Sequence, residues 1–232
     1  MPWPQLSVLS KNLHLSPNVN FHPRTDGSVV LCRLSEPIAL TSVIPYLPEM
    51  VETFDVPPSR RGFWVGLVMA SYSASQAIVA VIAGRTSDIY GRKYVILGSL
   101  TISLITSVMF GLSRSLYTAI ISRVLGGFGA GSIGIIRTMV AELVPHRSLQ
   151  PVAFSLAPLV WSLGSAVGPL IGGNLAKPSE HFPSLFGQNR FLKAFPFALP
   201  NLVNAALFTM GIIIGVLMLH VSSVRHQSAN GS

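Results

Sequence analysis

Two uncharged apolar runs, Trp64 to Ala83 and Tyr94 to Leu112, flank one short charged stretch. Each run has about the 20 residues that an α-helix needs to cross a hydrocarbon core of ~30 Å. The stretch between them, Gly84-Arg85-Thr86-Ser87-Asp88-Ile89-Tyr90-Gly91-Arg92-Lys93, holds four charged side chains. Asp, Lys and Arg each cost roughly 2.5–3.5 kcal/mol at the centre of an inserted helix. The charged stretch therefore predicts a tight turn at a membrane surface, with one span entering and one leaving.

The same pattern of long apolar runs separated by short polar connectors fills the chain from residue 29 onward. It predicts an all-α, polytopic membrane protein with spans at about 29–51, 64–83, 94–112, 116–143, 151–175 and 195–221. A polar, proline-containing tail covers 1–28, and a second polar tail covers 223–232. The loop 176–194 is expected to be polar, and the sixth span to kink near Pro196 and Pro200. Composition agrees: 50% of the residues are hydrophobic and 10% are charged, against about 25% charged in a soluble domain.

Other classes fit poorly. The net charge of +8 comes from basic residues scattered singly among apolar spans, without the stripe that nucleic acid requires. The lone Cys32 allows no internal disulfide. No metal-ligand cluster and no Ser/His/Asp set suggests an enzyme. Gly129-Ala130-Gly131-Ser132-Ile133-Gly134 has the spacing G-x-G-x-x-G, but no strand precedes it and no acid follows ~20 residues on, so it is not a dinucleotide site.

Ionisable residues inside spans are the candidate functional groups, because they face a bundle interior or a water-filled path. In the first span these are Arg33, Glu36 and Glu49. Arg33 can snorkel to the headgroups; Glu36 is shorter and deeper. In the fourth span they are Arg123 and Arg137. Depth along the helices predicts a Glu36–Arg137 pair, with Glu49 nearer Arg123. The fourth span also has glycine strips, Gly126/Ala130/Gly134 and Gly127/Gly131, suited to close helix packing. Gly164, Gly168 and Gly172 form another in the fifth span, where Pro169 removes one backbone hydrogen bond and predicts a bend.

Three motifs resemble those of the major facilitator superfamily. Gly84, Asp88, Gly91, Arg92 and Lys93 match its loop between spans two and three. Arg123, Gly127, Gly129 and Ala130 match its fourth-span pattern. Gly164, Gly168, Pro169, Gly172 and Gly173 match its antiporter motif in span five. Cys32 to Pro37 is similar to the first span of fungal drug:proton antiporters and plant zinc-induced facilitators. The resemblance implies the N-terminal six-span half of a transporter, without enzymatic activity or cofactor. It also implies a small-molecule substrate, protons as coupling ions, and a second six-span half or another copy as partner within the bilayer. The loop motif would gate the cytoplasmic side, and Glu36, Arg123 and Arg137 would line the cavity. The other expectation is a fragment that does not transport and instead binds or regulates a full-length relative. Basic residues do not set the orientation: the inner segments carry Lys11, Arg24, Arg85, Arg92, Lys93, Arg147 and Arg225, and the outer ones Arg60, Arg61, Arg114, Lys177, Arg190 and Lys193.

Overall fold

In a bilayer the backbone has no water to bond, so a spanning chain satisfies its own N–H and C=O groups by coiling into helices. The computed structural model describes residues 34–90, 92–132 and 150–229, and they contain helices and turns but no strand. Helix α1 covers residues 34–42, and after a turn at 43–46 comes α2, Leu47–Glu52. A 3-10 turn at Pro58–Arg60 leads into α3, Arg61–Tyr90. Helix α4 is Arg92–Gly111 and α5 is Leu116–Gly129, closed by a 3-10 turn at Ala130–Ser132. Helix α6 is Gln150–Leu175. Three short helices follow, α7 (Pro178–His181), α8 (Pro183–Phe186) and α9 (Arg190–Ala194), before α10, Ala198–Ala229. Within these residues, Pro58–Ser87, Tyr94–Gly111 and Ala198–Leu217 are long and apolar enough to cross a membrane.

Several bounds differ from those expected. The ten-residue charged stretch is not a turn along its length: α3 continues to Tyr90 and α4 begins at Arg92. A helix leaving the bilayer has no reason to unwind at the surface, since water solvates its charges. Thr86 and Ser87 donate to the carbonyls of Ile82 and Gly84, at 2.8 and 2.7 Å, within that extension. Gly91 lies outside the described residues. The first span is broken at 43–46, where Pro45 has no N–H to donate. The loop 176–194 contains the three short helices. Pro200 sits in the first turn of α10, where its missing N–H would lack an intrahelical partner anyway, so this helix starts after Pro196 without needing a kink. Helix α10 also covers 223–229, where a tail was expected. Residues 1–33, 133–149 and 230–232, with Arg33, Arg137 and most of the last stretch of the fourth span, lie outside the described residues.

Local sequence explains where α5 starts. Ser115 accepts from the Thr118 N–H, and Thr118 Oγ1 accepts from the Ser115 N–H, a reciprocal cap at 3.3 Å each. Helix α10 packs along α4, and α5 packs between α3 and α4. The main apolar core gathers at the end of the bundle where α4 and α6 finish and α5 and α10 begin. It contains Tyr46, Leu47, Met50, Val68, Phe110 and Phe197. Tyr46 stacks on Phe197 with centroids 5.5 Å apart.

Candidate functional site

Glycines decide how close the helices come. A methyl group at Gly164 would lie 2.5 Å from Pro37 Cγ and 3.3 Å from the Ile38 nitrogen. At Gly168 it would strike Thr41 Oγ1 and lie 2.8 Å from the Ile38 carbonyl oxygen. At Gly172 it would strike the Ser42 carbonyl oxygen. The ridge of α6 therefore rests on the backbone of α1, and Thr41 Oγ1 reaches the Gly164 carbonyl at 3.3 Å. Gly173 is one position off the ridge, with Pro45 Cβ 3.9 Å from the same point. Pro158 and Pro169 both lie inside α6, which stays helical through them.

Helix α5 is wedged in the same manner. A methyl at Gly127 would strike Ser75 Oγ of α3, and one at Gly129 would strike Ser103 Oγ of α4. A methyl at Gly131 would lie 2.8 Å from Val79 Cγ1 of α3. A methyl at Gly126 would instead have ordinary clearance, 3.4 Å to Thr106 and Tyr72, and Gly126 lines a cavity. Gly134 lies outside the described residues.

That cavity has a volume of about 40 Å³ and is lined by residues that include Leu40, Tyr72, Thr106, Phe110, Arg123 and Asn201. Sites for drug-sized ligands run to ~300–1,000 Å³, so this one is too small for such a ligand. Arg123 is 7% exposed. Its guanidinium carbon lies 3.8 Å from the Phe110 ring centroid and 5.7 Å from that of Tyr72. Ring faces carry negative quadrupole charge, so they favour a desolvated cation. Glu36 is half-buried on α1. Of the expected cavity residues, Arg123 lines this cavity, and Glu36 is not among its lining residues. Arg137 and the Glu36–Arg137 pair lie outside the described residues.

Glu49 corrects an expectation. It lies away from Arg123, exposed on α2, and its Oε2 is 3.1 Å from Lys177 Nζ. The turn at 43–46 separates α2 from the line of α1 and carries Glu49 to the end of the bundle that holds Lys177. Its hydrogen bond holds the Lys177 ammonium above the ordinary lysine value, against a smaller opposing effect of burial. Lys177 adopts a left-handed φ of 47°, and its N–H donates to the Pro196 carbonyl at 2.9 Å.

Of the loop motif, Gly84 lies within α3, Asp88 in its last turn, and Arg92 and Lys93 open α4. Among the described residues no group of three His, Cys, Asp or Glu could hold a metal.

Two buried amides on α10 escaped sequence reasoning. Asn201 Nδ2 donates to Tyr46 Oη at 2.9 Å and to the Phe197 carbonyl at 2.8 Å. Asn204 Nδ2 donates to Ser42 Oγ at 2.8 Å. Both amides tie α10 to the break in the first span. Asparagines three apart in an otherwise apolar span were the available signal.

Comparison with known proteins gives a consistent result. The family model described as Major Facilitator Superfamily matches residues 29–231. A major facilitator superfamily multidrug transporter of Aspergillus fumigatus, mfsB, is 40% identical over 193 residues, covering 82% of this chain and 32% of that protein. Zinc induced facilitator-like 1 of Arabidopsis thaliana is 32% identical over 200 residues, covering 85% of this chain and 40% of that protein. The crystal structure of the human organic anion transporter MFSD10 (TETRAN) superposes with a TM-score of 0.66 at 20% identity, covering 83% of this chain and 46% of that one. The chain spans about a third to two-fifths of the length of these two curated relatives.

Proposed function

The chain belongs to the major facilitator superfamily, and on that premise we propose that it forms the N-terminal half of a proton-coupled exporter of small, drug-like molecules. It is an integral membrane protein with the fold of that superfamily. The observation that carries the proposal is the seating of the α6 ridge on α1. Gly164, Gly168 and Gly172 meet Pro37, Thr41 and Ser42 at backbone contact. This fixes the helix that bears Glu36 against the helix that bears the antiporter-like motif.

In this reading, Glu36 takes up and releases the coupling proton. Arg123, held on Phe110 and Tyr72, keeps the surrounding potential positive and favours release. Arg137 completes the set. Pro169 leaves one carbonyl of α6 without its helical donor and gives that helix a point to bend as the bundle rocks. Asp88, Arg92 and Lys93, with Gly84 and Gly91, gate the cytoplasmic side. The substrate lies between two six-span units at mid-membrane, outside the small internal chamber. The name of the Aspergillus relative supports a drug-like substrate class, and the antiporter-like motif supports exchange.

The test uses inverted vesicles that carry this chain alone, a fluorescent lipophilic cation and an imposed pH gradient. Gradient-driven dye accumulation that falls at least tenfold in Glu36→Gln supports the reading. Undiminished accumulation in Glu36→Gln removes Glu36 from coupling.

A second reading is that the chain does not transport by itself but associates with another copy or regulates a full-length relative. Co-expressed, differently tagged copies that co-purify in detergent, with no dye accumulation, support it. Accumulation by the monomer excludes it.

A further inference from the structure

The chamber beside Arg123 has an unusual chemistry. Three of its hydroxyls donate their hydrogens to the backbone. Thr106 Oγ1 donates to the Ile102 carbonyl at 2.8 Å, and Ser122 Oγ donates to the Ala119 carbonyl at 2.8 Å. Ser107 Oγ donates to the Asn201 carbonyl at 3.1 Å. Both amide hydrogens of Asn201 are used, on Tyr46 and Phe197. These groups therefore present oxygen lone pairs, which only accept.

Opposite them stands a donor. Arg123 Nε is buried, and among the described residues its N–H has no hydrogen-bond partner. The planar guanidinium lies on Phe110, which covers its face and leaves its edge N–H to find an acceptor. Thr106, Ser107, Ser122 and the Asn201 amide have no hydrogen left to give an anion. A metal cation fits badly beside a guanidinium. A molecule that accepts one hydrogen bond and donates two fits the lining, and water is that molecule. The volume of about 40 Å³ exceeds the ~10–15 Å³ that a single water requires.

We propose that this chamber, between Arg123, Thr106, Ser122 and Asn201, is a structural water site. The water accepts from Arg123 Nε–H and donates to the hydroxyl oxygens. It solvates the buried cation inside the bundle, alongside the aromatic faces. The inference does not depend on transport activity.

The experiment is magic-angle-spinning NMR of the full chain, with ¹⁵N-labelled arginine, in lipid bilayers. The Arg123 Nε–H signal is assigned by its loss in Arg123→Lys. A short-mixing transfer from water to that Nε–H, reduced at least threefold in Thr106→Val and retained in Thr106→Ser, supports the site. Thr106→Ser keeps the hydroxyl and separates loss of water from loss of fold, as do the other arginine signals in each variant. No transfer in the native chain means a dry chamber and overturns the proposal. A Nε–H shift that changes when chloride is exchanged for bromide means an anion site and overturns it as well.

Discussion

At the residue scale, a single hydrogen-to-methyl change separates packing from propensity. Gly172 and Gly173 are neighbours inside α6, yet only Gly172 faces α1. A methyl there meets the Ser42 carbonyl oxygen, which is backbone and cannot rotate away. Overpacking of this kind costs roughly 1–3 kcal/mol. Gly172→Ala is therefore expected to lower the melting temperature in detergent, followed by tryptophan fluorescence. Gly173→Ala has 3.9 Å of clearance and gains up to about 1 kcal/mol in helix propensity, so it is expected to melt at or above the native temperature. Equal destabilisation by the two would mean that the ridge is not the contact surface. Arg123 makes the complementary point. Its Phe110 contact uses a flat, delocalised cation, which lysine does not reproduce.

At the element scale, the end of the bundle where α10 begins is tied by contacts between segments far apart in the chain. Lys177 bonds Glu49 of α2 through its ammonium and Pro196, ahead of α10, through its N–H. The Arg114 guanidinium lies 4.3 Å from the centroid of Phe195. The Lys177 ammonium is held above its ordinary value of 10.5, chiefly by the Glu49 hydrogen bond. A raised folded value gives stability that is fully present below the unfolded value and lost as pH rises through the folded one. The clasp should therefore hold at neutral pH and weaken above about 10.5. Because the pair is partly exposed, its contribution is about 0.2–1 kcal/mol. Lys177→Met is expected to lower the melting temperature slightly at pH 8 and to melt like the native chain at pH 12. A double-mutant cycle with Glu49→Gln should return the coupling at pH 8. Zero coupling there would mean that the pair contributes nothing.

At the scale of the whole molecule, the exposed surface is apolar where lipid would lie. Ile78, Val81 and Ile82 on α3, Ile121 and Leu125 on α5, and Ile213, Val216 and Leu217 on α10 are all exposed. Patches of this extent do not persist in water. The protein is expected to stay with the membrane pellet after alkaline carbonate and to become monodisperse only in detergent. A monodisperse monomer in plain buffer would refute the bundle as drawn. The same faces explain why helix positions were legible and helix contacts were not. In lipid, apolar burial no longer distinguishes the inside of a bundle from its outside, so hydropathy marks a span without marking its inward face.

The chain's own residues determined that it is a helical membrane protein of this superfamily. Span length and the cost of placing charge in hydrocarbon act over some twenty consecutive residues, and the motifs are equally local. The same local terms placed Glu36, Arg123 and the α6 glycines inside spans. Tertiary structure alone decided what each of them meets. The break at 43–46 sent Glu49 outward to Lys177, Arg123 settled on Phe110 and Tyr72, and Asn201 and Asn204 joined α10 to the first span. Those partners depend on the rotation and depth of one helix against another, and a break of four residues changes both without altering the hydropathy that identifies the span.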